Sequence, residues 1–134
     1  MNKSYKIIKY SVEYFQQYAL LYQQTWEKEP YGELFTIEEI KEQVPRNIEN
    51  LFLCVDSLKN SVIGFVGGRA LAKCDFFDNK TNLEIYKCFY IAELGVDNEY
   101  TGQGLGELLT NYLILILRIN KILDDGWFKK KIKN

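Results

Sequence analysis

Apolar positions change their spacing along this chain, and the spacing predicts the order of the elements. Residues 5–10 alternate apolar residues with lysine, which is typical of a strand. Over residues 12–26 the apolar positions recur at helical spacing, and Ser11 is the predicted N-cap. Thr36 and Glu39 have the spacing of a capping box, which predicts a second, shorter helix after them.

The second half of the chain has the pattern of three strands and one long helix. Strands are predicted over 51–55, 62–71 and 90–96, and glycines in the second of them indicate a bulge or a close packing contact. An apolar stripe predicts a helix over 105–117 that is covered on more than one side. Residues 72–87 are a polar connection with no assigned structure. The predicted order is β-α-α-β-β-β-α, an α/β arrangement.

A glycine-rich stretch, residues 100–106, joins the last predicted strand to the last helix and reads Tyr-Thr-Gly-Gln-Gly-Leu-Gly. Glycines allow a ligand to approach the backbone closely, and the free N–H groups and dipole of a helix N-terminus favour phosphate. The spacing differs from the dinucleotide fingerprint, and the Gly-Lys-Ser/Thr of a Walker loop is absent. The alternative is a turn that only links strand to helix.

The segment from Glu93 to Leu109 resembles the GCN5-related N-acetyltransferases, the GNAT superfamily, whose signature is Arg/Gln-x-x-Gly-x-Gly/Ala. Thr101 stands at the Arg/Gln position, while Gly104 and Gly106 match. The resemblance implies an α/β fold with a mixed central sheet flanked by helices, and acetyl-coenzyme A (acetyl-CoA) as acyl donor. It also implies coenzyme A contacts at Leu94, Gly95, Val96, Thr101, Gly102, Gln103, Gly104, Leu105 and Gly106.

Thr101 is a departure from the family signature. Its hydroxyl can donate one hydrogen bond, but it lacks the charged fork of an arginine. We therefore expect coenzyme A binding to be weaker by about 1–2 kcal/mol, from the usual strength of a charged hydrogen bond.

The residue composition narrows the chemistry that is available. The chain has no histidine, which is the commonest general base and metal ligand. Its three cysteines have no C-x-x-C spacing, so we expect neither a metal site nor a disulfide. The net charge of −1 does not suggest a nucleic-acid partner, and the longest apolar run is too short to cross a bilayer. We expect a cytoplasmic protein without a membrane partner.

Glu93 is the candidate catalytic base. The resemblance implies direct transfer of an acetyl group from the thioester to an amine of a small molecule or peptide, and that amine must lose a proton. Alternation along the strand puts Glu93 and Gly95 on one face, with Leu94 and Val96 on the other. The backbone of Leu94 and Val96 would contact the donor. A glutamate paired with a nearby cation, or facing solvent, explains the residue equally well.

The loop after the first predicted helix holds candidate acceptor-binding residues, namely Trp26, Glu29 and Tyr31. In the family this region shapes the acceptor pocket, and carboxylates beside aromatic rings would suit a cationic amine. A solvated acidic loop is the alternative.

The last residues, 119–134, form an atypical tail to a single domain of residues 1–134. The tail is too short for the family's remaining elements, so we expect the C-terminal strands to be largely missing. The open sheet edge would then be covered by the tail or by a second copy in a homodimer. Otherwise the chain is a truncated, non-catalytic protein that binds acyl-CoA weakly or acts only through a partner chain. No residue matches the tyrosine that protonates the leaving thiolate in the family.

Overall fold

The computed structural model describes residues 4–28, 30–70 and 88–120. Its helices and strands, in chain order, are β1 (Tyr5–Lys9), α1 (Phe15–Glu27), α2 (Ile37–Asn47), β2 (Leu51–Asp56), β3 (Ser61–Ala70), β4 (Phe89–Val96) and α3 (Leu105–Ile119). This order confirms the sequence prediction. The whole polar connection, 72–87, and nearly all of the predicted tail lie outside the described residues, as does Glu29.

The two N-terminal helices begin differently from each other. At α2 the predicted capping box is confirmed, because the Thr36 side chain accepts from the Glu39 N–H at 3.1 Å and Glu39 accepts from the Thr36 N–H at 3.0 Å. At α1 the predicted cap is confirmed only in its position, because Ser11 is the N-cap residue of the turn that leads into the helix but its side chain makes no capping hydrogen bond. The Ser11 hydroxyl donates to the Glu13 carboxylate at 3.1 Å, and a 3-10 turn over Val12–Tyr14 leads into the helix.

The four strands form one sheet in the order β1-β2-β3-β4, with every neighbouring pair antiparallel. The parallel pairing of a mixed sheet does not occur among the described strands. Between β3 and β4 the register passes from Gly67 opposite Glu93 to Gly68 opposite Ile91, so Ala92 is an extra residue on β4. This bulge confirms the irregularity that the glycines of β3 predicted.

The helices cover the two faces of the sheet. Helices α1 and α2 pack on one face, where the rings of Tyr18 and Phe65 lie 5.3 Å apart. On the other face lies α3, whose buried stripe is Leu105, Leu109, Leu113 and Leu117. The sequence predicted that α3 is covered on more than one side, but the described residues cover only the side that faces the sheet. Leu108 and Leu115 point away from the sheet and are 45% and 51% exposed. None of the described helices is long and apolar enough to cross a membrane.

Candidate active site

The site is built around Glu93, which β4 directs between the sheet and the two N-terminal helices. Its side chain is only 5% exposed. The buried Tyr18 hydroxyl of α1 donates to one carboxylate oxygen, and the Asn47 amide of α2 donates to the other at 3.1 Å. Both hydrogen bonds stabilise the ionised form, and a buried carboxylate requires such donors.

Burial and hydrogen bonding act on Glu93 in opposite directions. Removal from water raises the pKa of this carboxyl group above its usual value, which is the larger effect. The hydrogen bonds from Tyr18 and Asn47 and the charge of Arg69 lower it. Desolvation also raises the pKa of the Tyr18 hydroxyl far above its normal range, and the neighbouring Glu93 charge adds to the effect. Tyr18 therefore stays protonated and acts as a donor.

Glu93 borders a cavity of about 230 Å³, which we call the Glu93 cavity. Its described lining residues come from α1, α2, β3 and β4, and are Tyr22, Gln43, Arg46, Asn47, Arg69, Tyr90, Ala92 and Glu93. A buried carboxylate with a raised pKa at the wall of a cavity has the properties of a general base. The alternative reading of a glutamate that faces solvent is wrong, because the residue is buried.

The outer edge of β4 turns backbone groups away from β3. The Asp97 N–H donates to the Ile63 carbonyl at 2.8 Å. This hydrogen bond identifies which residues of β4 point their backbone groups toward β3. Since such residues alternate in an antiparallel pair, Gly95 and Glu93 face β3, while the N–H and C=O groups of Leu94 and Val96 face outward. Among the described strands, none pairs with this edge.

The side chains of β4 follow the predicted alternation. A methyl group added at Gly95 would lie 2.6 Å from ring carbons of Phe65, on the face that Glu93 shares. Val96 packs with α3 on the opposite face, and Leu94 is 40% exposed. The strand therefore presents Glu93 to one side of the sheet and the outward backbone groups to its edge.

The glycine-rich loop leads from this edge to the N-terminus of α3. Gly102 and Gly104 have φ values of +81° and +78°, a conformation that other residues adopt at a cost. Gly104 is the N-cap residue of α3 and has no side chain that could cap the helix, so the first N–H groups of α3 have no acceptor within the helix or from its N-cap residue. Apart from the adjacent residues in the chain, no described group lies within 4 Å of where a methyl group on either glycine would be. The loop is open enough for an anion to approach.

Two residues of the loop are engaged with protein groups. The Thr101 hydroxyl donates to the Asn98 carbonyl at 3.0 Å, so in this conformation it is not available to a ligand. Gln103 accepts a hydrogen bond from the Tyr5 hydroxyl. Glu107 lies in the first turn of α3. Its negative charge interacts favourably with the helix dipole there, but it would repel a bound phosphate.

The predicted acceptor residues are only partly brought to the cavity. Trp26 is half-buried, and its ring lies 5.9 Å from that of Tyr22, which lines the Glu93 cavity. Tyr31 is 56% exposed and lies 5.0 Å from the Trp26 ring. Within the described part of the chain, the buried Trp26 indole N–H has no hydrogen-bond partner. A buried donor without a partner is unusual in folded proteins.

Sequence reasoning missed the residues that surround Glu93. Tyr18 belongs to the apolar stripe of α1, while Asn47 and Arg69 lie near the ends of α2 and β3. Asn47 is 46 residues away from Glu93 in the sequence, and Tyr18 is 75 residues away. Only the tertiary packing brings these side chains to Glu93. The one available signal was the glutamate itself, because a carboxylate within an apolar strand requires partners. Within the described ranges, no group of three or more possible ligands could hold a metal ion.

Comparisons with known proteins agree with this geometry. The sequence model of the Acetyltransferase (GNAT) family matches residues 12–122. The chain is similar in structure to a GNAT-family acetyltransferase from Staphylococcus aureus Mu50, with a TM-score of 0.66 and 15% identity over 88% of this chain and 69% of that one. For the ribosomal-protein-S18-alanine N-acetyltransferase from Escherichia coli, the TM-score is 0.62, with 14% identity over 88% of this chain and 62% of that one.

A structure of the NatC complex bound to Gag peptide and CoA is also similar, with a TM-score of 0.63 and 17% identity over 88% of this chain and 69% of that one. The chain spans 64% of Ard1 from Thermoplasma volcanium and 34% of a GCN5-related N-acetyltransferase from Sphaerobacter thermophilus. No curated protein sequence matches it. Similarity to solved structures at these identities shows the fold alone. Since the family match covers most of the sequence, the chain belongs to the GNAT acetyltransferase family.

Proposed function

We propose that this protein is an acetyl-CoA-dependent N-acetyltransferase that acts on an amine of a small molecule or peptide. The observation that carries the proposal is the position of Glu93 at the wall of a cavity, on the strand whose next residues turn backbone groups outward. That strand leads directly to an uncapped helix N-terminus. A base, a backbone edge and an anion site thus follow one another along 14 residues, 93–106.

The acyl donor would lie along the outer edge of β4. Its pyrophosphate would bind the N–H groups of Gly102, Gln103, Gly104, Leu105 and Gly106, and its pantetheine arm would pair with the outward backbone groups of Leu94 and Val96. The predicted contact at Gly95 would not come from its N–H and C=O groups, because these face β3. An outward N–H of Leu94 or Val96 would polarise the thioester carbonyl. Thr101 would contribute through its backbone, because its hydroxyl already donates to Asn98.

Proton transfer would be the task of Glu93. The acceptor amine loses a proton to the carboxylate, directly or through water, and its nitrogen attacks the thioester carbon. The C–S bond breaks and the acetyl group moves to nitrogen. The remaining extra proton on that nitrogen passes to the leaving coenzyme A thiolate, directly or through water. Trp26 and Tyr31 would lie at the outer end of the acceptor site, next to the cavity-lining Tyr22. Glu29 lies outside the described residues and stays an acceptor-binding candidate from the sequence.

A second candidate function is that of a non-catalytic protein that binds acyl-CoA weakly or acts only through a partner chain. Two observations favour it: the engaged Thr101 hydroxyl and the Glu107 carboxylate beside the anion site. The outer edge of β4 would also suit a homodimer, in which a second copy covers it. A cytoplasmic location stays a prediction from the sequence.

Calorimetry of acetyl-CoA binding to the purified chain tests the proposal first. Micromolar binding that Gly104→Ala weakens would support the anion site. Release of coenzyme A with an amine panel, lost in Glu93→Gln while acetyl-CoA binding is kept, would support catalysis. Binding without turnover of any amine would favour the non-catalytic acyl-CoA binder. No binding by a folded chain would refute both the enzyme and the weak binder, and would favour a protein that acts only through a partner chain. Mass measurement by light scattering decides between monomer and dimer.

A further inference from the structure

Two arginines line the Glu93 cavity and give it a positive wall. Arg46 comes from α2 and Arg69 from β3, and both border the same space as the Glu93 carboxylate. They also line a second cavity of about 380 Å³ that adjoins the first. Guanidinium groups present a planar fork of donors that fits an oxyanion.

Arg69 is held in position by other groups. One of its terminal nitrogens donates to the Asn47 side-chain carbonyl at 2.9 Å, and its guanidinium lies 5.7 Å from the centre of the Tyr90 ring. Because Asn47 in turn donates to Glu93, the arginine, amide and carboxylate form one chain of hydrogen bonds. The Arg69 charge lies close enough to lower the pKa of Glu93.

Arg46 is exposed, and no described residue makes a hydrogen bond or an ion pair with its guanidinium group. Glu49 lines the adjoining cavity but not the Glu93 cavity. Among the described residues that line the Glu93 cavity, there are thus two positive charges against the single charge of Glu93. Within that set one positive charge is unmatched, and a ligand with one negative charge would neutralise it.

We propose that the acceptor is a small amino acid, whose carboxylate binds Arg46 and Arg69 while its amine faces Glu93. This inference rests on the proposed acetyltransferase function. The cavity volume, about 230 Å³, lies below the range of roughly 300–1,000 Å³ that is usual for drug-sized ligands, so it favours a small acceptor. A single carboxylate matches the unmatched charge better than a doubly charged phosphate. A cationic amine that carries no anionic group would meet the two arginines with no charge to neutralise theirs.

Saturation-transfer NMR tests binding without any turnover. The probes are a panel of α-amino acids, the same compounds as carboxamides, and aminoethyl phosphate, each added to the full chain with coenzyme A. Arg46→Gln removes one cavity charge. Lys41→Gln is the matched control, because Lys41 is an exposed cation of the same helix that lines a different groove.

We expect at least one amino acid to bind to the wild type and to Lys41→Gln, with affinity about 10- to 100-fold lower in Arg46→Gln, as expected for loss of a charged hydrogen bond. Its carboxamide should bind at least tenfold more weakly to the wild type. Equal binding of acid and amide, equal loss in both variants, binding of the phosphate alone, or no binding at all would overturn the proposal.

Coenzyme A release then separates this inference from the function on which it rests. Acetylation of amino acids, reduced in Arg46→Gln but not in Lys41→Gln, would support both. Arginine-dependent binding of amino acids without acetylation of any amine would refute the enzyme function, while the carboxylate site would stand. Acetylation of amides or polyamines but not of amino acids would overturn the carboxylate site and leave the enzyme function intact.

Discussion

Tyr18→Phe isolates the hydrogen bond that keeps Glu93 ionisable. Tyr18 is 1% exposed, and its hydroxyl donates to a carboxylate that is 5% exposed. The substitution removes only the oxygen atom and leaves the ring against Phe65. Because the lost donor stabilises the charged form, the pKa of Glu93 should rise further above its usual value of 4.5.

The size of the shift follows from the strength of the bond. A hydrogen bond to a charged group contributes about 1.5–3 kcal/mol, and one pKa unit corresponds to about 1.4 kcal/mol, so we expect a rise of roughly 1–2 units. The folded pKa of Glu93 lies above the unfolded one, so the free energy of unfolding falls as pH rises between the two values. In Tyr18→Phe the free energy of unfolding should fall further with pH than in the wild type, and the fall should end at a higher pH.

Carbon-13 NMR of labelled glutamate carboxyl groups measures the pKa, with Glu93 assigned by the signal that Glu93→Gln lacks. Urea unfolding from about pH 4 to 9 measures the linked stability. Tyr22→Phe is the control, because Tyr22 is the next buried tyrosine of α1 and donates to Gln43 at 2.9 Å rather than to Glu93. An unchanged or lower pKa in Tyr18→Phe, or an equal shift in Tyr22→Phe, would refute the reasoning.

Three further substitutions test the site and its supports. Glu93→Gln should lower acetyl transfer by at least about 100-fold. Because it removes a buried charge, it should also raise the free energy of unfolding near pH 7.5 by about 1–3 kcal/mol. A variant that is less stable than the wild type in urea would contradict this. Gly95→Ala should destabilise the fold by about 1–3 kcal/mol, since its methyl group would overlap the Phe65 ring. Gly106→Ala is its control, because the nearest atom there is 3.9 Å away. Gly104→Ala should cost about 1–2 kcal/mol through its φ of +78° and should weaken acetyl-CoA binding in calorimetry, and unchanged binding by the folded variant would argue against the anion site.

Local sequence signals predicted most of the fold. The capping box at Thr36 and the apolar stripe of α3 each depend on residues three or four positions apart, so the order of residues is enough to recognise them. The start of α1 was predicted less well. Ser11 has the right residue type for a cap, but its hydroxyl finds a nearer acceptor in Glu13.

The candidate site was only partly predictable from the sequence, for a physical reason. The edge of β4 and the glycine loop are continuous in sequence, so motif and alternation were enough to indicate them. The cavity beside Glu93 is assembled from four separate elements, and its two arginines carry no local signal. Their charge narrows the expected acceptor from any cationic amine to one that also carries an anionic group.

The extra residue in β4, Ala92, changes which side chains of the strand point to the same face of the sheet. In a regular strand Tyr90 and Glu93 would point to opposite sides, because they are separated by an odd number of residues. With Ala92 inserted, both side chains border the same cavity. A deletion of this single alanine would leave Tyr90 and Glu93 two positions apart on a regular strand. Both side chains would then stay on one face, and the cavity would lose only the part of its wall that Ala92 forms.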